Sequence, residues 1–276
     1  MKNDNTLTNA PLGKKSTYIS HYQPSLLFPI ARNSKREEIG IHGTLPFHGF
    51  DIWNAYELSW LNAKGKPVVA TGEFTIPCES THIIESKSFK LYLNSFNNTL
   101  FDSFESVRDI LIRDLSAAAD APVFVKLFTL DETSTKMATH FAGISLDALD
   151  IACDTFTPAP ELLITENEHV TETLYSDLLK SNCLVTGQPD WGSVQIAYTG
   201  KKISHASLLR YIVSFRNHNE FHEQCVERIF MDIQTRCQPE SLSVYARYTR
   251  RGGLDINPQR NSKSGNIGEN IRLIRQ

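Results

Sequence analysis

The sequence predicts an α+β protein whose sheets are mainly antiparallel. Three observations support this prediction: strand-like runs flank helical patterns, one motif recurs 119 residues further along the chain, and no dinucleotide-binding fingerprint is present. A doubly wound parallel sheet would carry the spacing G-x-G-x-x-G between a strand and a helix. Strands that pair around helices in each half are instead typical of the α+β class.

Two helices are predicted by apolar residues at three- and four-residue spacing, which places them on one buried stripe. The first stripe contains Phe104, Val107, Ile110 and Leu111. The second stripe contains Val226, Ile229, Phe230 and Ile233. Strands are predicted over residues 123–127 and 194–198, which alternate in the manner of a strand, and over the β-prone run 243–249.

A repeated motif, Y-x-x-S-F-x-N, begins at Tyr92 and again at Tyr211, and a predicted helix follows each copy. The two halves therefore look like diverged repeats of one unit. At a constant offset of 119, three pairs of positions correspond: Cys183 with Lys64, Glu223 with Phe104, and Ser204 with Glu85. Each half then lacks a reactive residue that the other has, so we expect one composite site per chain.

The composition is that of an ordinary globular protein, with 41% hydrophobic and 21% charged residues. The formal net charge of -3 gives no global argument for nucleic acid or an anionic membrane as a partner. The five cysteines are odd in number and lack C-x-x-C spacing, which argues against a disulfide framework and a zinc ribbon. Residues 1–15 are polar, without an apolar signal core, and are predicted to be a flexible tail. We therefore expect a soluble, cytoplasmic protein.

The stretch between Lys136 and Lys180 contains no lysine or arginine but many acidic residues and two prolines. Its middle, residues 152–172, is predicted to be an acidic connector between an N-terminal unit, 16–151, and a C-terminal unit, 173–276. The charge balance reverses from residue 245 onward, where seven basic residues accompany two acidic ones. This basic segment is either a solvated surface or a phosphate-binding one.

Cys183 precedes a segment rich in glycine and proline, residues 187–192, which predicts a turn. Asp190 is expected to lie in this turn, seven residues after the thiol, and the turn can return its carboxylate to the sulfur. A thiolate nucleophile needs a partner that handles protons, and a desolvated aspartate can serve as one. The alternative is a structural cysteine with an Asx-turn aspartate, and the spacing alone favours this alternative.

His218 and His222 are four residues apart, a spacing that suggests a zinc site if both lie on one helix. The metalloprotease motif H-E-x-x-H requires a glutamate where this chain has Asn219, and no third ligand is evident. We therefore prefer His222 and Glu223 as polar groups at a helix N-terminus, where the glutamate can accept hydrogen bonds from a purine-like base. The alternative is a glutamate that caps the first turn.

The segment Ile83–Leu93 contains Glu85 directly after two isoleucines, so its carboxylate is expected to be partly buried and to need partners. Lys87 and Lys90 would suit a phosphorylated cofactor. An exposed strand is the alternative for the same residues.

These three segments together resemble the queuosine-pathway nitrile reductases, the NADPH-dependent 7-cyano-7-deazaguanine reductases, in their long two-module form. The N-terminal half carries a run similar to the family signature, E-S-K-S-F-K-L-Y at Glu85–Tyr92. The C-terminal half carries S-N-C-x-x-T-x-Q-P-D-W-G, F-H-E-Q-C and S-V-Y-A-R-Y-T-R-R-G-G-L-D-I-N-P. The resemblance covers about residues 40–275, and its motifs occur in the expected order.

The resemblance implies two tandem tunnelling-fold units, each an antiparallel sheet with helices packed on one face, and a homodimer. It implies that Cys183 forms a covalent thioimide with the nitrile carbon and that Asp190 supplies the proton. The implied substrate contacts are Ile84, Glu85, Ser86, His222 and Glu223. The implied NADPH contacts are Ser86, Lys87, Arg251 and Gly252. The substrate would be a free deazapurine base, with no metal, nucleic acid or membrane partner.

The implied reaction takes four electrons, so two NADPH molecules would act in turn. Thiolate addition makes the nitrile carbon a better hydride acceptor, and activation of the thiolate by Asp190 or by a helix N-terminus stays open. Two other functions are weighed. A purine or pterin cyclohydrolase on the same fold would need metal ligands, and a transfer-RNA-binding module would use the basic C-terminal segment.

Overall fold

The structure is a computed structural model that describes residues 11, 13, 18–132, 136–265 and 268–276. Two pairs that involve two-residue strands are parallel, whereas the longer strands pair antiparallel. The predicted α+β class with mainly antiparallel sheets is therefore confirmed. The predicted tail, residues 1–15, lies outside the described residues apart from Pro11 and Gly13. Among the described residues, no helix combines the length and apolar character needed to cross a membrane.

The chain folds into two compact units, and each is assembled from several chain segments. The first unit contains residues 1–34, 52–134 and 250–255, as far as they are described, and the second contains 35–51, 135–249 and 256–276. The predicted connector, residues 152–172, stays a prediction as a domain boundary. Its second half belongs to a long strand of the second unit.

The first unit combines an antiparallel sheet with two complete helices and the start of a third. Its elements are β1 (Pro29–Ala31), α1 (Asn33–Glu38, which continues into the second unit), β2 (His48–Leu61, shared by both units), β3 (Pro67–Pro77), β4 (His82–Ile84), α2 (Ser86–Asn94), α3 (Phe104–Ala119) and β5 (Phe124–Phe128). The strand order is β5-β3-β2, and β1 pairs with β4. Phe89 of α2 packs on Trp53 and Phe74 of the sheet, with ring centroids 5.2 and 5.1 Å apart. Because α2 begins at Ser86, the exposed-strand alternative for this segment is wrong.

The second unit also combines a sheet with two complete helices. Its elements are β6 (Met137–Ala138), β7 (Ile144–Ser145), β8 (Thr165–Ser176), β9 (Lys180–Asn182), β10 (Pro189–Ile203), α4 (His205–Ser214), α5 (His222–Cys237), β11 (Ser241–Tyr248), β12 (Leu254–Asn261, whose first two residues belong to the first unit) and β13 (Arg272–Leu273). The strand order is β12-β11-β10-β8-β7, and β9 pairs with β10. The predicted strands correspond to β5, β10 and β11, and the predicted helices to α3 and α5, so all five are confirmed.

The internal repeat predicted from the sequence is visible in the hydrogen bonds that precede α2 and α4. The Glu85 N–H donates to the Phe28 carbonyl at 2.9 Å, and the Ser204 N–H donates to the Ile164 carbonyl at 2.9 Å. Glu85 and Ser204 are the N-cap residues of the two helices, so their expected correspondence at an offset of 119 is confirmed.

The offset changes by one residue at the second helix of each unit. The helices α3 and α5 both have 16 residues, and each ends at a residue with a left-handed backbone, Asp120 in one unit and Gln238 in the other. The spacing between these helix ends is 118 residues. The expected correspondence of Glu223 with Phe104 is therefore wrong by one position, and Glu105 is the counterpart.

Candidate active site

Cys183 lies at the tip of the hairpin formed by β9 and β10. Its N–H donates to the Gln188 carbonyl at 2.8 Å, and its carbonyl accepts from the Gly187 N–H at 2.9 Å. Gly187 has a φ of 66°, a left-handed conformation that glycine adopts without a steric penalty. The turn predicted over residues 187–192 is misplaced, because the chain turns between Cys183 and Gly187, and Asp190 lies in β10 and not in the turn.

Three side chains share the buried face of this hairpin. Ser181 is the cross-strand partner of Asp190. Cys183 lies two residues beyond Ser181, so strand alternation places the thiol on the same face as the carboxylate. Cys183 is 3% exposed and Asp190 is 4% exposed. The thiol and the carboxylate therefore share one environment with little access to water.

The imidazole of His222 meets this face from α5. His222 is the first residue of the helix, and its Nε2 lies 3.4 Å from Asp190 Oδ2. Its Nδ1 is buried and has no hydrogen-bond partner among the residues that the structure describes. A buried polar atom without a partner costs free energy, and a bound ligand would relieve that cost.

The segment that precedes α5 is tied to the strand that carries the thiol. The Asn182 N–H donates to the His218 carbonyl at 2.8 Å, and the Asn182 carbonyl accepts from the Glu220 N–H at 3.0 Å. The Asn182 side-chain amide also donates to Asn219 Oδ1 at 3.0 Å. These bonds hold the start of α5 beside the hairpin tip at Cys183.

The zinc interpretation of His218 and His222 fails on geometry, because α5 begins only at His222 and His218 lies before it. Burial, together with the positive charges of Arg228 and Lys35, lowers the pKa of His218 to about 4. Within the described ranges, no group of three or more His, Cys, Asp or Glu side chains is arranged to hold a metal ion.

Two buried glutamates flank His222 at the start of α5. Glu223 is 3% exposed. Glu220 is 4% exposed, and its Oε2 lies 3.2 Å from Lys35 Nζ. Burial raises the pKa of Glu220, and the charge of Lys35 opposes this shift. The sequence analysis missed Glu220, because no local spacing identifies a residue whose partner is so distant in the chain.

In the first unit, Glu85 is completely buried as the N-cap of α2. Its carboxylate accepts from the Lys87 N–H at 2.7 Å and from the Ser88 N–H at 2.8 Å. Burial raises the pKa of Glu85, and the two backbone hydrogen bonds oppose the shift. Ile84 ends β4 just before it, and Ser86 opens the helix, so the three predicted substrate contacts of this unit are consecutive at one helix start.

The turn between β11 and β12 carries Arg251 and Gly252 in the first unit. Gly252 and Gly253 have φ values of 58° and 77°. A Cβ on Gly252 would lie 3.8 Å from Lys90 Cγ, one helical turn beyond Ser86. A Cβ on Gly253 would lie 2.5 Å from the carboxyl carbon of the exposed Glu57 side chain, which can move, so the left-handed φ is what favours glycine here. The turn therefore packs closely on β2 and α2.

Basic side chains gather around this turn. Lys90 pairs with Glu57, and the guanidinium of Arg250 lies over the ring of Tyr56 at 5.4 Å. Lys87 and Lys90 are three residues apart on α2, so they lie on the same helical face. The predicted cofactor contacts of the first unit are thus grouped with lysine and arginine, which bind phosphate well.

Two arginines of the basic C-terminal segment have a structural place in the second unit. Arg247 is 2% exposed and donates to Gln276 Oε1 at 2.6 Å and to Asn270 Oδ1 at 2.9 Å. Arg260 is completely buried against carboxylates. Neither side chain is part of a solvated basic surface.

A buried thiol that shares its environment with a carboxylate and an imidazole is the arrangement of enzymes with a cysteine nucleophile. Comparison with known proteins gives the family. A family model described as nitrile reductase, 7-cyano-7-deazaguanine-reductase N-terminal, matches residues 18–127, and one described as QueF-like protein matches residues 189–266. The chain belongs to the family of NADPH-dependent 7-cyano-7-deazaguanine reductases.

Relatives with that name match nearly the whole chain. The protein of a Polaromonas species is 60% identical over 99% of this chain and 100% of its own. The protein of Dechloromonas aromatica is 62% identical over 97% of this chain and 95% of its own. The protein of Delftia acidovorans is 59% identical over 99% of this chain and 100% of its own. The resemblance recognised from the motifs is confirmed.

Proposed function

We propose that this chain uses NADPH to reduce the nitrile of 7-cyano-7-deazaguanine to an aminomethyl group, through a covalent thioimide on Cys183. The observation that carries the proposal is the buried thiol on the same hairpin face as Asp190, whose carboxylate lies 3.4 Å from His222. The names of the relatives support the substrate and the cofactor. The product would enter queuosine biosynthesis for transfer-RNA modification.

The first chemical step forms a bond between the Cys183 sulfur and the nitrile carbon. The thiol loses its proton, one π bond of the nitrile is lost, and the nitrogen gains a proton, so atoms and charge balance. An ordinary cysteine thiol has a pKa of about 8.5, so only a few per cent is thiolate at neutral pH. Asp190, assisted by His222, is proposed to take the thiol proton and to deliver one to the nitrogen.

Replacing Asp190 with asparagine is expected to slow thioimide formation by roughly 10²- to 10⁴-fold, the usual contribution of a general acid–base group. Asparagine keeps the shape of the side chain but cannot carry the proton. The measurement is the rate at which intact protein gains the mass of the nitrile base after mixing. Asp177→Asn is the matched control, because Asp177 binds Ser193 and His140 instead. A wild-type rate in Asp190→Asn would remove this residue from the step.

Glu223 and His222 are proposed to hold the deazaguanine base. A buried carboxylate is a strong acceptor for the N–H groups on the edge of such a base. Ile84, Glu85 and Ser86 are proposed to contribute further substrate contacts. The burial of Ile84 and Glu85 supports this assignment.

Ser86, Lys87, Arg251 and Gly252 are proposed to bind NADPH. The donor set fits this cofactor, because lysine and arginine lie around a turn that brings its backbone close to α2. When bound, NADPH supplies a hydride, and the four-electron reduction requires two NADPH per nitrile. The buried environment of Cys183 and Asp190 is suited to keep water from a reactive imine between the two reductions.

Replacing Lys87 with glutamine is expected to raise the KM for NADPH by about 10-fold, equivalent to one charge-assisted phosphate contact of ~1.4 kcal/mol. The KM for the nitrile should change much less. Steady-state kinetics with each substrate varied separately would measure both. Lys126→Gln is the matched control, since Lys126 pairs with Glu73 at 2.9 Å on the same unit. An unchanged KM for NADPH would contradict the assignment.

The architecture is proposed to be two tandem tunnelling-fold units with helices on one face of each sheet, and the protein to be a cytoplasmic homodimer. The equivalent N-caps Glu85 and Ser204, and the equal lengths of α3 and α5, support the tandem interpretation. Light scattering of the full chain would measure the oligomeric state. The substrate is proposed to be the free base and not a nucleic acid, so added transfer RNA should not compete.

The decisive experiment mixes the protein with 7-cyano-7-deazaguanine and NADPH. We expect two NADPH to be oxidised for each aminomethyl product. We also expect a single covalent substrate mass per chain when NADPH is omitted, because one reactive thiol is proposed. Protein that oxidises no NADPH with the nitrile present would refute the function.

A further inference from the structure

The ring of His222 lies flat against the ring of Tyr248. The two ring centroids are 3.8 Å apart and the planes differ by 3°. Tyr248 is the last residue of β11 and is completely buried. A face-to-face contact this close permits the imidazole to turn only within its own plane. Because the stacking fixes the plane of the imidazole, it also limits where Nε2 can lie relative to Asp190 Oδ2, which is 3.4 Å away.

Gly192 provides the space in which the Tyr248 ring lies. The two residues are cross-strand partners between β10 and β11. A Cβ on Gly192 would lie 3.1 and 3.2 Å from Tyr248 Cδ1 and Cε1, closer than ordinary van der Waals contact. An alanine here would displace the ring by a few tenths of an ångström. Gly192 is therefore needed for the position of the ring.

The hydroxyl of Tyr248 contributes little to this arrangement. Cys225 and Ser181 lie beside it, but neither meets hydrogen-bond geometry, and the hydroxyl oxygen is buried without a partner among the described residues. Burial raises the pKa of the Cys225 thiol to about 12 and the pKa of Tyr248 well above its usual value, so both groups stay neutral. The aromatic ring is thus the functional part of Tyr248.

We infer that Tyr248 is a positioning residue for the nitrile reduction, which acts by holding the His222 imidazole in the plane where Nε2 faces Asp190. The inference rests on the proposed function of His222 and Asp190. It assigns the effect to an aromatic ring at position 248 and to the absence of a side chain at position 192. A buried ring can also serve stability alone, so the test must separate positioning from packing.

The experiment measures the rate of covalent adduct formation and the thermal midpoint of three full-length variants. Tyr248→Phe keeps the ring and should retain most of the rate, within about 3-fold. Tyr248→Leu removes the ring and should slow the adduct by roughly 10- to 100-fold, as expected for a small misplacement of a reacting group. Tyr211→Leu is the matched control, because Tyr211 is also completely buried and makes an edge-to-face contact with Phe215. It should lower the thermal midpoint but not the rate of the folded protein.

A double-mutant cycle with His222→Ala distinguishes positioning from general packing. If Tyr248 acts through His222, adding Tyr248→Leu to His222→Ala should change the adduct rate by less than about 2-fold, since coupled residues are not additive. Fully additive losses would overturn the inference, and so would a normal rate in Tyr248→Leu. Both results leave the proposed function intact as long as the wild-type protein forms the adduct. A wild-type protein that forms none would refute the function itself.

Discussion

Replacing Cys183 with alanine is expected to abolish nitrile reduction and to remove the covalent adduct. The Cys183 sulfur is the proposed nucleophile that bonds to the nitrile carbon. An alanine side chain cannot form this bond, and Asp190 then has no thiol proton to accept. Loss of the nucleophile in a cysteine or serine enzyme typically lowers kcat by roughly 10⁴-fold or more. The change is measured as NADPH oxidation in the presence of the nitrile, and as the mass of intact protein after incubation with the nitrile alone.

Cys153→Ala is the matched control for this prediction. Cys153 is a free, half-exposed thiol, so it would react first if the nitrile simply modified accessible cysteines. We expect the adduct to persist in Cys153→Ala and to map to the peptide that contains Cys183. An adduct of normal yield in Cys183→Ala would show that the nucleophile lies elsewhere.

The parts of the fold that depend on local sequence could be predicted. Apolar spacing placed α3 and α5, because a stripe of this kind is buried wherever the helix docks. Glycine at position 187 indicated the turn before Asp190, because its left-handed backbone is a local property. The exact position of that turn could not be predicted, since Pro189 and Gly192 are equally compatible with a turn and with the strand that they enter.

The environment of the site could not be predicted to the same extent. The burial of Glu220 depends on Lys35, and the plane of His222 depends on Tyr248, and both partners come from remote segments. The motif at Glu85 looked equally compatible with an exposed strand until its carboxylate was seen to cap α2. The one-residue change of offset between the two repeats is also invisible in the motifs, because it falls in the variable segment between them.

A buried cluster of charged side chains around Glu227 of α5 could not be predicted from the sequence either. Glu227 accepts from Arg36 at 2.7 Å and from Arg260 at 2.9 Å. Arg260 also lies 2.8 Å from Asp51. The side chains are at most 6% exposed, and Arg36 is 191 residues from Glu227 in the chain. Both guanidiniums lie over the ring of Phe47, 5.9 and 5.5 Å from its centroid.

Replacing Glu227 with glutamine is therefore expected to lower the free energy of unfolding by about 3–5 kcal/mol, the usual cost of removing one partner from a buried ion pair. The Arg36 and Arg260 guanidiniums then lose their bonds to a charged carboxylate in a region that is almost closed to water. Glutamine has nearly the same volume, so loss of charge and not loss of packing is measured. The measurement is the unfolding transition in urea.

Glu73→Gln is the control for that change, because Glu73 pairs with Lys126 at 2.9 Å on a surface where the lysine side chain is 65% exposed. An exposed pair of this kind contributes less than about 1 kcal/mol. Equal losses in the two variants would mean that the buried cluster contributes no more than a surface pair. Because Glu227 lies one helical turn beyond Glu223, the loss in Glu227→Gln should be accompanied by a higher KM for the nitrile base. A destabilised variant with an unchanged KM would show that the cluster supports the fold without supporting the site.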